Sequence, residues 1–186
     1  MLRFFLYLFS IILTLKYSFQ INKDLFKQNI PKLKCNKGYY CPNTTSKIIC
    51  PPGYYCPYTN MKSPIDCPIS KYCPDEGLIE PIDCPIGHFC PDWQMIIPNI
   101  CEKGYHCPKK NMKGVIYCPM GTYCPKGSER PISCPAGFYC PRNFMSVPLK
   151  CPKDHYCPSK GNAIPTPCLK NIICKEGSKK MGELEL

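Results

Sequence analysis

The chain has 186 residues and a formal net charge of +11, and it includes 18 cysteines, 23 prolines and 12 glycines. Such cysteine usage belongs to disulfide scaffolds of oxidising compartments and excludes an ordinary cytosolic globule. The prolines and glycines exclude long helices and a wide sheet, which leaves a fold of loops and short turns.

Residues 1 to 20 place one positive charge, Arg3, before an apolar run that ends at Leu15, followed by Lys16 and a polar exit. This is the pattern of a secretory signal peptide, with cleavage expected after Ser18 to Gln20. The run stops short of the roughly 18 apolar residues that a membrane span needs. Residues 21 to 34 form a lead-in, and residues 175 to 186 a polar tail. With no second hydrophobic run, the mature chain is expected to be soluble, without a membrane span, and secreted or held in a secretory compartment. The terminal Glu183-Leu-Glu-Leu186 is a weak match to a retention signal, because Leu184 stands where an acid is usual.

Between these ends, residues 35 to 174 hold nine tandem Cys-x5-Cys repeats that use every cysteine. The pairs are Cys35/Cys41, Cys50/Cys56, Cys67/Cys73, Cys84/Cys90, Cys101/Cys107, Cys118/Cys124, Cys134/Cys140, Cys151/Cys157 and Cys168/Cys174. First cysteines follow one another at 15, 17, 17, 17, 17, 16, 17 and 17 residues, a fixed period that marks a repeat array rather than one core. The fold class expected is a small disulfide-rich repeat: an elongated array of loop and turn units with little regular secondary structure, each unit touching only its neighbours.

Counting the first cysteine as position zero, position three is Gly38, Gly53, Ser70, Gly87, Gly104, Gly121, Gly137, Asp154 and Asn171. Gly, Asn and Asp tolerate positive φ, so the chain is expected to turn there, with Ser70 the poor fit. Position five is Tyr40, Tyr55, Tyr72, Phe89, His106, Tyr123, Tyr139, Tyr156 and Ile173, and this regularity marks it as the packing site, a ring covering the disulfide and touching the next unit. Position four is more mixed. Prolines after the second cysteine and three residues before the next first cysteine fix φ around each unit. Linkers are too short for a separate element. The apolar residues Trp93, Met95, Ile96 and Ile97, and the pair Phe144 and Met145, read as plugs between units.

Connectivity is less constrained. Pairing within each five-residue loop uses all nine units, whereas pairing each second cysteine with the next first cysteine strands Cys35 and Cys174. Parity tilts towards local pairing; chain entropy does not decide, since loops of about 7 and about 12 residues are worth about 2.4 and about 2.8 kcal/mol.

Loss of Arg3 and Lys16 with the signal segment lowers the charge to +9, and what remains is uneven. Residues 62 to 92 balance to −4, and residues 93 to 186 to +8. The basic part suits solubility and, as a partner class, acidic glycans or anionic lipid; nucleic acid is not expected outside the cell.

The unit Cys-Pro-x-Gly-x-Tyr/Phe, then a second cysteine, Pro, a linker and Pro-Ile-x-Cys, resembles the ephrin-receptor-like cysteine-rich repeat, itself similar to tumour necrosis factor receptor modules. Its best copies span residues 50 to 57, 84 to 91, 118 to 125 and 134 to 141, and the last copy, from Cys168, lacks both prolines and the aromatic, as a terminal cap does. The resemblance implies extracellular, elongated, disulfide-bonded modules of adhesion or receptor ectodomains, and no enzyme. Similar arrays occur in secreted and wall proteins of apicomplexan parasites. The function expected is a structural or adhesive one, a rigid surface offered to another extracellular protein or to a matrix or wall component; the alternative is a soluble ligand or inhibitor of one receptor.

No catalytic residue, metal site or cofactor is expected. The spacing of five does not suit zinc, and His88, His106 and His155 sit where other repeats have aromatics. No cysteine outside the repeats is left to act as a nucleophile. Asn43, in Asn43-Thr44-Thr45, is the candidate glycosylation site, in the linker after the first unit.

Overall fold

The computed structural model describes Lys16 and residues 33 to 184. The expected signal segment and most of the lead-in therefore lie outside the described residues, apart from Lys16, as do Glu185 and Leu186. Among the described residues no helix is long and apolar enough to cross a membrane.

Each unit is one small hairpin closed by one disulfide, and the pairing left open between local and staggered is local throughout. The bonds are Cys35–Cys41, Cys50–Cys56, Cys67–Cys73, Cys84–Cys90, Cys101–Cys107, Cys118–Cys124, Cys134–Cys140, Cys151–Cys157 and Cys168–Cys174, with Cα atoms 6.0 to 6.5 Å apart. Inside the loop the position-four amide donates to the position-one carbonyl, as from Tyr54 to Pro51 at 3.2 Å. Position three stands at the third corner of that turn with φ between 62° and 85° in every copy, the signature of a type II turn. Ser70, the expected misfit, takes the same conformation at φ 73°.

Positions four and five then form a two-residue strand that pairs antiparallel with the two residues before the next first cysteine. Tyr39–Tyr40 pairs with Ile48–Ile49 in the first unit, and Ile172–Ile173 with Glu183–Leu184 in the last. Residues 175 to 184, expected as a polar tail, are thus the return arm of the ninth unit.

Four main-chain hydrogen bonds join each unit to the next, in one pattern repeated at all eight junctions. At the first, Gly38 donates to the Cys56 carbonyl, Cys41 to Met61, Asn60 to Cys35, and Cys50 to Gly38. The second cysteines farther along repeat the role of Cys41: the amides of Cys90, Cys107, Cys124 and Cys157 donate to the carbonyls of Met112, Ser128, Met145 and Ser178 at 2.8 to 2.9 Å. The cysteine main chain thereby finds its partners in neighbouring units, which a buried backbone requires. The linker turn that supplies one of these donors also has positive φ, at Asn60, Gly77, Gln94, Asn111, Gly127, Phe144, Gly161 and Gly177.

The expectation that units touch only their neighbours is corrected here. The carbonyls of the linker turns at Gly77, Gln94, Gly127, Phe144, Gly161 and Gly177 reach back two units to position three. A Cβ on Gly38 would lie 2.6 Å from the Gly77 oxygen, on Gly104 2.5 Å from Phe144, and on Gly121 2.6 Å from Gly161. Glycine is therefore needed for two separate reasons, a left-handed φ and a close backbone approach. No hydrogen bond, ion pair or ring contact among the described residues goes beyond the second neighbour, the most distant in sequence being Tyr105 to Phe144. The product is a linear array whose buried side chains are cysteines and His106.

Candidate interaction surface

The disulfide cysteines identified in the sequence are interior residues in every unit but the last. Cys90, Cys107, Cys124 and Cys157 are fully buried, as are their partners Cys84, Cys101, Cys118 and Cys151; Cys168, in the terminal unit, is the one cysteine left half-buried. With all 18 cysteines bonded, none is free to act as a nucleophile or a metal ligand.

With cysteine filling the interior, the other side chains are available to a face or an edge. The two strand residues point to opposite faces of each hairpin. On one face the position-five ring stands opposite an aliphatic residue of the return strand: Tyr40 with Ile48, Tyr55 with Ile65, Tyr72 with Ile82, Tyr123 with Ile132, Tyr139 with Leu149. Aromatic and β-branched cross-strand pairs stabilise hairpins. These rings are half-buried, and so are the position-four residues of all nine units, so the reading of position five as the sole packing site is corrected. A hairpin of two residues covers both its faces about equally.

On the other face, the last return-strand residue of a unit meets the linker turn from two units ahead, and the two are matched in kind. Where the turn is glycine the partner can be isoleucine: a Cβ on Gly77 would sit 3.4 Å from Ile49 Cδ1, and one on Gly127 3.3 Å from Ile100 Cδ1. Where the strand ends in aspartate the turn supplies an amide, Gln94 Nε2 donating to Asp66 Oδ1 at 2.7 Å. Asp83 is held likewise between Lys71 and Asn111, and their hydrogen bonds, that of Lys71 first, lower its carboxyl below the ordinary value of 3.8. Where the strand ends in Tyr117 the turn is Phe144, whose ring lies 5.3 Å from Tyr117 and 5.4 Å from Tyr105. Such ring contacts, worth about 0.5 to 1.5 kcal/mol each, offset the positive φ that Phe144 accepts.

Phe144, although 53% exposed, is a link between units through its two ring contacts, as expected of a plug. Trp93 makes no such ring contact among the described residues and is 60% exposed, Ile96 and Ile97 are also exposed, and Met95 is half-buried with its carbonyl accepting from Cys73.

The histidines occupy strand positions. His88 and His155 place Nδ1 at 3.2 and 3.1 Å from the carbonyls of Ile86 and Lys153, and His106 is 8% exposed with Nδ1 unpartnered. No group of three or more His, Cys, Asp or Glu side chains among the described residues is placed to hold a metal. Asn43 is exposed, and its Oδ1 accepts from the Thr45 amide and hydroxyl, both at 3.0 Å, and from the Ser46 amide at 2.7 Å. This turn draws the acceptor asparagine and its threonine together at the surface.

No family model matches the chain, and no curated protein matches it. Nine disulfides fit an oxidising compartment, and a continuous main-chain ladder fits a rigid scaffold. A chain built this way offers long faces.

Proposed function

We propose that the chain is a secreted structural or adhesive protein of the ephrin-receptor-like kind, a stiff rod that presents repeated surface to another extracellular protein or to a matrix or wall. The observation that carries this reading is the disulfide-filled interior with an unbroken ladder of hydrogen bonds across eight junctions. The chain is given over to rigidity and repeated surface, the pattern of solenoids that bind along their length. Half-exposed rings such as Tyr55, Tyr72 and Tyr139 supply apolar contact at fixed intervals, and aromatic residues are favoured at protein interfaces.

Fractionation of the source cells tests it. A structural protein stays with the insoluble surface material and is released by a reducing agent or denaturant. Recovery as a free soluble species in the medium, with one receptor captured by crosslinking, would favour the soluble ligand instead.

A further inference from the structure

The linker edge carries a charge pattern that the face readings do not use. Because the same hydrogen bond fixes the turn residue of every linker from the second on, the two residues before it occupy equivalent places in successive units. Along that edge they are Tyr58 and Thr59, Asp75 and Glu76, Asp92 and Trp93, Lys109 and Lys110, Pro125 and Lys126, Arg142 and Asn143, Ser159 and Lys160, and Lys175 and Glu176. All but the proline carry side chains that are polar, charged or aromatic, and every one of the sixteen is exposed. The edge is thus acidic at units three and four, basic at units five to eight and balanced at unit nine, with Trp93 at the first change of sign.

We propose that this edge is a self-association surface, on which two copies of the chain pair antiparallel about a two-fold axis between units four and five. A two-fold contact must be self-complementary, each residue meeting in the partner what its counterpart meets in return. The sequence of this edge satisfies that. Reversed against itself, it sets Asp92 and Trp93 opposite Lys109 and Lys110, Asp75 and Glu76 opposite Lys126, and Tyr58 opposite Arg142. Carboxylates meet ammonium groups, and Trp93 and Tyr58 meet cations that favour an aromatic face. Lys126 is also bridged to Glu102 of its own chain at 3.1 Å, so Lys109 and Lys110 carry most of the attraction. The exposed Trp93 lies next to the axis, where the centre of an interface has its apolar anchors, and Ile96 and Ile97 are exposed in the same linker. A polyanion would be drawn to the basic stretch but repelled by Asp75, Glu76 and Asp92, so a second copy is the occupant that fits the whole edge.

Sedimentation of the oxidised protein tests this. Wild type should form a dimer in about 0.05 M salt that weakens about tenfold or more in about 0.5 M salt. The variant with Asp75→Lys, Glu76→Lys and Asp92→Lys should be monomeric, as should the variant with Lys109→Glu, Lys110→Glu and Lys126→Glu. Mixed together, the two should form a heterodimer. Because these side chains are exposed, both variants should keep the wild-type disulfides and circular dichroism, and recovery on mixing cannot come from unfolded chains. A monomeric wild type, separate variants that dimerise as wild type does, or a mixture that stays monomeric would each overturn the proposal. A wild-type monomer bound by heparin would assign the basic stretch to a polyanion instead.

Discussion

The two requirements on glycine can be separated by one pair of substitutions. Gly121 and Gly161 have nearly the same backbone, φ 79° and 80°, and face one another across two units. A Cβ on Gly121 would stand 2.6 Å from the Gly161 oxygen, whereas one on Gly161 has only the Gly121 oxygen at 4.0 Å. Alanine at either position must hold a left-handed φ, which costs about 1 to 2 kcal/mol, partly offset by the roughly 0.4 to 1 kcal/mol gained in stiffening the unfolded chain. Gly161→Ala should therefore cost about 1 kcal/mol. Gly121→Ala must in addition push a peptide aside, and overpacking of this kind costs about 1 to 3 kcal/mol more. The displaced peptide leads into Asn162, whose carbonyl accepts from Cys140 at 2.8 Å. Amide exchange of the oxidised protein, read at Cys134 and Cys140, should lose protection about fivefold in Gly161→Ala. In Gly121→Ala the loss should be roughly thirtyfold greater, the factor for about 2 kcal/mol. Equal losses in the two variants would refute the close approach between second neighbours.

Ser70→Gly should stabilise the third junction by about 1 kcal/mol, since Ser70 holds φ 73° without being glycine; the Cys84 amide, shared between the Ser70 carbonyl at 3.3 Å and Asn111 Oδ1 at 3.1 Å, reports on that junction. Protection of the Cys84 amide should rise about fivefold, and a loss would contradict the strain. His106→Phe should also stabilise, by about 1 kcal/mol, because it removes an unpartnered buried nitrogen; thermal unfolding of the oxidised variant at neutral pH reads this, and a lowered midpoint would count against it. In Lys71→Met the Asp83 carboxyl should titrate higher, towards its ordinary 3.8, by carbon-detected NMR. As the folded value is depressed, the link from Asp83 to Lys71 and Asn111 is complete above the ordinary range and is lost as pH falls through the folded value. An unchanged titration would mean that Lys71 does not hold the carboxylate.

The position-three turn was legible in the sequence because glycine recurs at a constant distance from cysteine, and structure adds Ser70 to it. The second turn was not. It falls four residues after the second cysteine in most units but three at Gly127 and Gly177, and Gln94 and Phe144 are residues that rarely hold positive φ. What selects them is a partner two units back, Asp66 for Gln94 and Tyr117 for Phe144. A match across 28 positions, as between Asp66 and Gln94, leaves no local periodicity to read. The same distance hid the role of position four: Tyr105 stands in a variable column, yet it packs on Phe144. Trp93 misled for the opposite reason. An apolar residue in a protein with no core looked like a plug, but the cysteines already fill the interior, and Trp93 is left at the edge.

Small-angle scattering tests most directly whether the chain is a linear array held by local disulfides. A compact domain of about 166 residues would have a radius of gyration of about 15 Å. Oxidised protein in about 0.5 M salt, where charge-driven association is suppressed, should give a clearly larger radius and a skewed, long-tailed distance distribution. A radius at the compact value would mean that the repeats fold back on one another, and the array would be contradicted.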